Sequence, residues 1–202
     1  MFDHEVSDGL NCLAFGQMKG IRTPLIVAGG DCSITGFDLG AEEMFWTVTG
    51  DNARTMEFMN WSNEPGNMEL VAGSDDYCIR VFKGAELIFD INESAKVREI
   101  KCIHKNIFGF SLENGTYGVY YSRKRLWTQK QSAKVTSIIG MDFQHDNEMQ
   151  LVIGFDNGLI EVRKHRSGDL LHSVQLNKFD GKPADFYISK LFYTDYRKEG
   201  KK

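Results

Sequence analysis

The chain repeats one strand-turn-strand pattern four times, and this repeat constrains the fold more than any other feature of the sequence. Each copy has an apolar strand, a tight turn and a second strand in which apolar and polar residues alternate. The copies read LIVAGGDCSITGF (25–37), LVAGSDDYCIRVF (70–82), FGFSLENGTYGVY (108–120) and LVIGFDNGLIEVR (151–163). Internal repeats of this length indicate architectures in which each unit packs on its neighbours.

The spacing between the copies predicts the blades of a β-propeller. The small residues that hold the same place in the four copies are Gly29, Gly73, Ser111 and Gly154. They are separated by 44, 38 and 43 residues, and a four-stranded blade takes about 40 to 45 residues. An immunoglobulin-like sandwich also has short strands, but it does not repeat one pattern at this interval. The sequence therefore predicts an all-β fold, a partial β-propeller.

The turns and flanking segments complete four strands for each blade. We expect two-residue hairpin turns with positive φ at Asn114-Gly115 and Asn157-Gly158, and Asp76-Tyr77 holds the same place. The predicted strands that precede each copy are residues 11–15, 54–59, 97–103, 135–143 and 186–193. The predicted outer strands are residues 45–48, 87–91, 126–129 and 171–176.

These strands predict a single incomplete propeller domain over residues 1–202. Its blades cover roughly residues 8–50, 51–92, 93–131 and 132–177, with part of a fifth over 178–202. Propellers remove their sheet edges by closing into a ring of about 4 to 8 blades. Four units and a fragment therefore predict an open arc, unless the units close as a smaller ring. Either the sequence is a shortened piece of a longer chain or another chain covers the open edges, and a homo-oligomer in which two arcs shield each other is one solution.

Composition argues against several classes of protein. A net charge of -4 and a pI near 5.8 disfavour a general nucleic-acid binder, which needs surplus basic residues. The apolar runs are far shorter than the roughly 20 residues of a membrane-spanning helix. The start of the chain, MFDHE, lacks the features of a secretory signal, so we expect an intracellular protein. Cys12, Cys32, Cys78 and Cys102 form no CxxC pair and are predicted to be reduced thiols.

Several stretches resemble the Bardet-Biedl syndrome protein 2 family. They are GFDLGAEEMFWTVTGDN (36–52), ELVAGSDDYCIRVFK (69–83), FGFSLENGTYGVY (108–120) and DYR (195–197). The resemblance covers nearly the whole chain in order, and FWTVTGDN is its most specific part. Members of that family resemble longer assemblies, with a seven-bladed N-terminal propeller, a coiled coil and further C-terminal domains. This chain would correspond to the middle and later blades.

The resemblance implies a function and a location. The family supplies a subunit of the BBSome, a coat-like complex that carries membrane proteins into and out of cilia. It therefore implies a non-catalytic protein-interaction scaffold that contacts other BBSome subunits, notably subunits 7 and 9, and membrane cargo. It also implies a location in the cytoplasm, the cilium and the basal body.

The residues themselves indicate neither a cofactor nor catalysis. Related propellers tend to carry an acidic DxDxDG-like loop that suits calcium. Here the corresponding positions are Asn60, Ser62 and Glu64 in one copy and Asp142, Gln144, Asp146 and Asn147 in another. The loss of carboxylates and glycine disfavours a calcium-dependent adhesion propeller. A propeller enzyme is the remaining alternative, but histidine pairs, nucleophile elbows and phosphate loops are missing from the sequence. We expect no cofactor, no metal and no enzymatic activity.

Basic clusters and tryptophans are the candidate interaction residues. The clusters are Arg123-Lys124-Arg125 and Arg163-Lys164-His165-Arg166. Each follows an inner strand, so we expect them on hairpins at one rim, facing solvent or meeting an acidic partner or anionic lipid. Trp61 lies in one of the altered acidic loops and is the better candidate among the tryptophans for an exposed contact, although a structural role is favoured over it. Trp46 and Trp127 lie near outer strands and are predicted to pack between blades.

Overall fold

The computed structural model describes residues 5–64, 66, 68–179, 182–183 and 185–192. In this part of the chain the regular structure consists of strands and turns, and none of it is a helix able to span a bilayer. In chain order the strands are β1 (Cys12–Gly16), β2 (Leu25–Gly29), β3 (Ser33–Phe37), β4 (Glu43–Val48), β5 (Ala53–Met59), β6 (Glu69–Ser74), β7 (Cys78–Lys83), β8 (Glu86–Asn92), β9 (Val97–His104), β10 (Ile107–Leu112), β11 (Thr116–Tyr121), β12 (Lys124–Lys130), β13 (Val135–Met141), β14 (Gln150–Phe155), β15 (Leu159–Lys164), β16 (Leu170–Gln175), β17 (Lys178–Phe179) and β18 (Lys182–Pro183).

The strands form four antiparallel sheets of four strands, which we call blades 1 to 4. Each blade is an up-and-down meander, β1–β4, β5–β8, β9–β12 or β13–β16, in which every strand pairs with the next. The first strands of successive blades contact each other, β1 with β5, β5 with β9 and β9 with β13. The first strands therefore line the inside of an arc, and the fourth strands form its periphery. The chain is a partial β-propeller, which confirms the predicted fold. That residues 1–202 form a single domain stays a prediction.

The turn between the second and third strands of each blade differs from the predicted two-residue hairpin. Three residues join the strands, and among them only the third has positive φ. These third residues are Cys32, Tyr77, Gly115 and Gly158, with φ of 66°, 70°, 80° and 81°. The Asn114 side chain accepts the N–H of Thr116 at 3.1 Å, and Asn157 accepts that of Leu159 at 3.1 Å. A type I turn followed by a left-handed residue gives this loop. The asparagine therefore caps the turn.

Backbone hydrogen bonds repeat from blade to blade and close each sheet in the same way. The N–H groups of Thr49, Glu93, Gln131 and Leu176 donate to the carbonyls of Cys32, Tyr77, Gly115 and Gly158, at distances between 2.8 and 3.1 Å. Each bond joins the residue after the outer strand to the left-handed turn residue. The four blades thus share one backbone design although their side chains differ.

The hydrophobic core lies between adjacent blades. Separate clusters of buried residues fill the contacts of blade 1 with blade 2, blade 2 with blade 3, and blade 3 with blade 4. Adjacent blades lie close together at glycines, including Gly73 of the second strand of blade 2. A Cβ added to Gly73 would lie 2.4 Å from Cγ1 of Val97 in the next blade, which explains why a residue without a side chain occupies this position.

The strand predicted over residues 186–193 is wrong for its described part. Residues 185–192 form no strand, although Ile188 is buried. A Cβ on Gly154 would lie 2.8 Å from Cγ2 of Ile188, just as one on Gly73 would meet Val97. The segment therefore packs where the first strand of a following blade would lie. Residues 185–192 form no backbone hydrogen bonds of a β-sheet, because no described strand pairs with them. Tyr193 and the rest of the chain lie outside the described residues.

Candidate interaction surfaces

Trp61 is the sequence's candidate for an exposed contact, but it is buried and has the structural role that the sequence favours. Only 5% of its surface is accessible, and its ring packs on Phe89 and Phe108 with centroids 5.7 and 5.9 Å away, between blades 2 and 3. The buried Glu69 carboxylate accepts the N–H of Trp61 at 3.0 Å. This bond holds the backbone of the polar loop against the sheet, and the Trp61 side chain is part of the hydrophobic core.

The other two tryptophans differ from each other. Trp127 packs between blades, as predicted: its indole N–H donates to the His165 carbonyl at 2.9 Å, and its ring lies against Gly168 of blade 4. Trp46 was predicted to do the same, but it is 52% exposed. Its neighbour Phe45 packs toward blade 2, and successive strand residues point to opposite faces. Trp46 therefore lies on the other face of blade 1.

That other face of blade 1 is apolar and open to solvent. Cys12 and Ala14 of β1 pack toward blade 2, which directs Leu13 and Phe15 to the open side. Leu13 and Phe15 are exposed, and so are Met44, Trp46 and Val48 of β4. We call these five residues the blade 1 face. Because β1 and β4 are the first and fourth strands of the sheet, these residues lie toward its two edges. The alternation of apolar residues on both sides of β1 was the sequence signal for this face.

Two residues of the first basic cluster, Arg123 and Arg125, contact other residues of the chain. The Arg125 guanidinium contacts the Glu93 carboxylate at 2.8 Å and donates to the Tyr120 hydroxyl at 2.9 Å. The Arg123 guanidinium lies 4.6 Å above the Phe89 ring. Lys124 is exposed and makes no hydrogen bond or ion pair that the structure describes. Arg123 and Lys124 thus remain open to a partner, while Arg125 stabilises the fold.

The second basic cluster divides in the same way. The Arg163 Nε group contacts Glu161 at 2.8 Å, and its Nη1 group donates to the Gly168 carbonyl at 2.8 Å. Lys164 and Arg166 are exposed, and neither side chain forms a hydrogen bond or an ion pair with a described residue. Arg163 therefore belongs to the framework of blade 4. Whether Arg123, Lys124, Lys164 or Arg166 binds a partner stays a prediction.

The first strands line a central cleft of about 540 Å³ whose charged residues are largely paired. Lys101 contacts Glu57 at 2.8 Å, and Lys190 contacts Glu99 at 3.4 Å. Burial raises the pKa of Glu99 to about 6, although Lys190 opposes the shift. Burial also raises the pKa of the Cys12 thiol to about 12. This thiol stays protonated at neutral pH, whereas a reactive cysteine needs a lowered pKa.

The buried carboxylate of Asp75 connects three chain segments. It lies on the rim opposite the one that carries the two basic clusters. Asp75 is 1% exposed on its side chain and accepts bonds from Arg54 at 2.7 and 3.0 Å. Lys96 contacts it at 3.3 Å, and Asn52 donates to it at 3.3 Å. The bond from Arg54 is the main reason that the pKa of Asp75 falls to about 2. Asp75 joins the blade 2 turn to the segments that precede blades 2 and 3.

In the altered acidic loop at residues 142–148, the carboxylates accept backbone N–H groups of their own loop. Asp142 accepts the N–H groups of Asp146 and Asn147 at 3.0 Å each, and Asp146 accepts that of Glu148 at 3.0 Å. Within the described ranges, histidine, cysteine and acidic side chains form no group of three or more that could hold a metal ion. These carboxylates act as turn caps.

The chain is similar in sequence to proteins of one ciliary complex. Residues 55–163 match the family described as ciliary BBSome complex subunit 2, middle region. The BBSome complex member BBS2 of Danio rerio is 38% identical over 200 residues, which cover 99% of this chain and 27% of that protein. The Homo sapiens protein of the same description is 35% identical, with 99% and 26% covered. The chain thus spans about a quarter of the length of these relatives.

Two solved structures are similar in fold. BBS1N, crystallised in complex with ARL6DN, superposes with a TM-score of 0.73 over 96% of this chain and 61% of its own, at 13% identity. Sqt1 of Saccharomyces cerevisiae gives a TM-score of 0.68 over 84% of this chain and 48% of its own, at 14% identity. At these identities the likeness concerns the fold.

Proposed function

The chain belongs to the family of ciliary BBSome complex subunit 2, and on that premise we propose that it is a non-catalytic protein-interaction scaffold. Its setting is a BBSome-type complex for trafficking of ciliary membrane proteins. The observation that carries the proposal is the alignment with BBSome complex members over 99% of the chain.

The surfaces of the chain support contact rather than chemistry. The ionic side chains of the central cleft are engaged with each other, and its cysteine is held as a protonated thiol. The open surfaces are the apolar blade 1 face and the basic rim of blades 3 and 4. Exposed apolar side chains support a contact role for the blade 1 face, because burying them against a partner removes apolar surface from water.

The partners we propose are other BBSome subunits, notably subunits 7 and 9, together with membrane cargo. The sites of action are the cytoplasm, the cilium and the basal body. Self-association through the open propeller edges is a further way to cover the blade 1 face, because burying apolar side chains is worth about 25 cal/mol per Å².

Co-expression tests this function. The tagged chain is produced together with subunits 7 and 9, and the affinity-purified material is quantified by mass spectrometry. We expect both subunits to be recovered in defined ratio with the chain. Sqt1 is a suitable control, because it shares the propeller fold at 14% identity and should recover neither subunit. A chain that purifies free of both subunits would contradict the proposal.

A further inference from the structure

The open outer edge of each blade is formed by its fourth strand. β4, β8, β12 and β16 each stand at the end of a described sheet and pair there with one neighbour. In every blade, the residue after the fourth strand donates its N–H to the left-handed turn residue before the third strand. In an antiparallel ladder the N–H and C=O of one residue point to the same side, and those of the adjacent residues point to the other side. These bonds therefore show which backbone groups face the open edge.

Two residues of each fourth strand direct their backbone groups to the open edge. In blade 1 the Thr49 N–H bonds inward at 3.0 Å, so the backbone groups of Val48 and Trp46 point outward. The register of the strands identifies the equivalent residues of the other blades. They are Asp90 and Asn92 in blade 2, Thr128 and Lys130 in blade 3, and Ser173 and Gln175 in blade 4.

Blade 1 differs from the other blades at these two positions. In blades 2 to 4 both positions are exposed and polar or charged. In blade 1 they are Trp46 and Val48, which are 52% and 55% exposed, and Met44 two residues earlier is exposed too. A free edge with apolar side chains is a template for pairing with another chain, and charged side chains discourage such pairing. β4 is thus the described outer strand whose edge favours pairing.

Blade 2 holds β4 in the extended conformation that pairing requires. The Phe45 side chain is buried in the core shared by blades 1 and 2, and the Thr47 hydroxyl donates to the Ala85 carbonyl of blade 2 at 3.2 Å. The side chains between them point to the opposite, exposed face. A strand that is fixed before it binds loses less conformational freedom when it pairs.

We propose that β4 pairs antiparallel with β4 of a second copy of the chain, around a two-fold axis at Trp46. A two-fold interface presents the same surface of each copy to the other. In this register Trp46 lies opposite its own equivalent, where aromatic cross-strand pairs are favourable, and Val48 lies opposite Met44. Glu43 lies opposite Thr49, so like charges do not meet. The proposal rests on the scaffold function proposed above and assigns its self-association to one strand.

The other outer strands are less complementary to themselves. The equivalent pairing of β8 would place Asp90 opposite itself, and like charges directly opposite are destabilising. β12 and β16 would place Thr128 and Ser173 opposite themselves, with hydroxyl groups where β4 has an indole. β4 has 6 residues, whereas a standard interface has about 20 to 30 residues a side. We therefore expect a weak dimer that forms through β4.

Sedimentation equilibrium of the chain alone tests the proposal. Over about a hundredfold range of concentration the mean mass should rise from that of a monomer toward that of a dimer, because mass action governs association. Trp46→Lys should weaken association at least about tenfold, since it removes the central aromatic pair and places two lysines opposite each other. The matched control Ser173→Lys introduces the same residue at the equivalent exposed position of blade 4. It should stay within about twofold of the wild type.

A mixture of two charge variants tests the register. Trp46→Glu alone should associate as weakly as Trp46→Lys, whereas an equal mixture of the two should regain part of the lost association, because opposite charges then face each other. Val48→Asn introduces the residue that blade 2 has at this position and should also weaken the dimer. Leu13→Ser, at the other edge of blade 1, should leave association through β4 intact. Urea unfolding of each variant checks that the fold is kept, which we expect because the replaced side chains are about half exposed.

Three results would overturn the proposal. One is a mass that stays that of a monomer over the whole range. Another is association that Trp46→Lys and Ser173→Lys affect equally, or a mixture of charge variants that regains nothing. The third is a monomeric chain that loses subunits 7 and 9 in the Trp46→Lys variant, which would assign the β4 edge to a partner subunit. Sedimentation uses the chain without BBSome subunits, so its failure leaves the co-purification result unaffected. A failed co-purification of a chain that dimerises through β4 would contradict only the proposed complex.

Discussion

Replacing Asp75 by asparagine should destabilise the chain by about 2 kcal/mol at neutral pH. The carboxylate is buried, bonded to Arg54, Lys96 and Asn52, and its pKa falls from 3.8 to about 2. Each pH unit of such a shift corresponds to about 1.4 kcal/mol of stability, and we reduce the sum because Arg54 and Lys96 are about one-third exposed. Asparagine keeps the shape of the side chain and removes its charge.

The pH dependence has a defined sign. The pKa of Asp75 is lower in the folded protein than in the unfolded chain, so its contribution is complete above about pH 4. It is lost as the pH falls from about 4 to 2 through the folded pKa. Asp75→Asn lacks this contribution at every pH. The difference in unfolding free energy between wild type and variant should therefore shrink as the solution is acidified. The neighbouring Asp76 is present in both proteins and cancels in the difference.

Urea unfolding followed by tryptophan fluorescence measures these free energies. The control is Asp31→Asn, which makes the same chemical change at the second residue of the corresponding turn in blade 1, one place after the equivalent of Asp75. Asp31 is exposed and bonded to the side chain of Asn11 at 2.8 Å, so its replacement should cost less than about 0.5 kcal/mol. The reasoning is refuted if Asp75→Asn is no more destabilising than Asp31→Asn, or if its deficit stays constant down to about pH 2.

Three further outcomes are expected. Gly73→Ala should lower the free energy of unfolding by about 2 kcal/mol in urea titrations, because the new Cβ would overlap the next blade; a neutral result would mean that the blades can separate there. Tyr117→Phe removes the 2.8 Å bond from the buried hydroxyl to Glu161 and should cost about 1 kcal/mol in thermal melts, whereas unchanged stability would show the bond to be dispensable. If the chain self-associates through the blade 1 face, Leu13→Ser should weaken that association in sedimentation equilibrium, and Leu87→Ser, on an exposed outer strand, should not; equal effects would assign association to another surface.

The repeat in the sequence was sufficient to predict the blades, because apolar and polar residues alternate along the strands and turn-forming residues separate them. The sequence did not reveal the type of turn. An Asn-Gly pair fits both a two-residue hairpin and a type I turn with a left-handed third residue. Tyr77 and Cys32 occupy that third position in the other two turns. Since such residues rarely adopt positive φ, they favour a turn with a single left-handed residue over one with two. The segment at residues 185–192 shows a second limit, because apolar patterning does not reveal whether a strand has a partner to pair with.

The contact residues were less predictable than the fold. A tryptophan in a polar loop suggests exposure, but the buried Glu69 turns Trp61 into the core. Pairing also decides which basic residues are available. Arg163 and Glu161 are two apart on one strand, so their contact could be anticipated. Arg125 meets Glu93 from the neighbouring blade, and only the packed structure brings such residues together.

We propose that this chain acts within a BBSome-type complex. Its most direct test is quantitative mass spectrometry of proteins that copurify with the endogenously tagged protein from ciliated cells. We expect BBSome subunits to be recovered in near-constant ratio with the tagged protein, and we expect the tag to mark cilia and basal bodies. Recovery of the tagged protein without BBSome subunits, from cells in which the complex itself is intact, would contradict it.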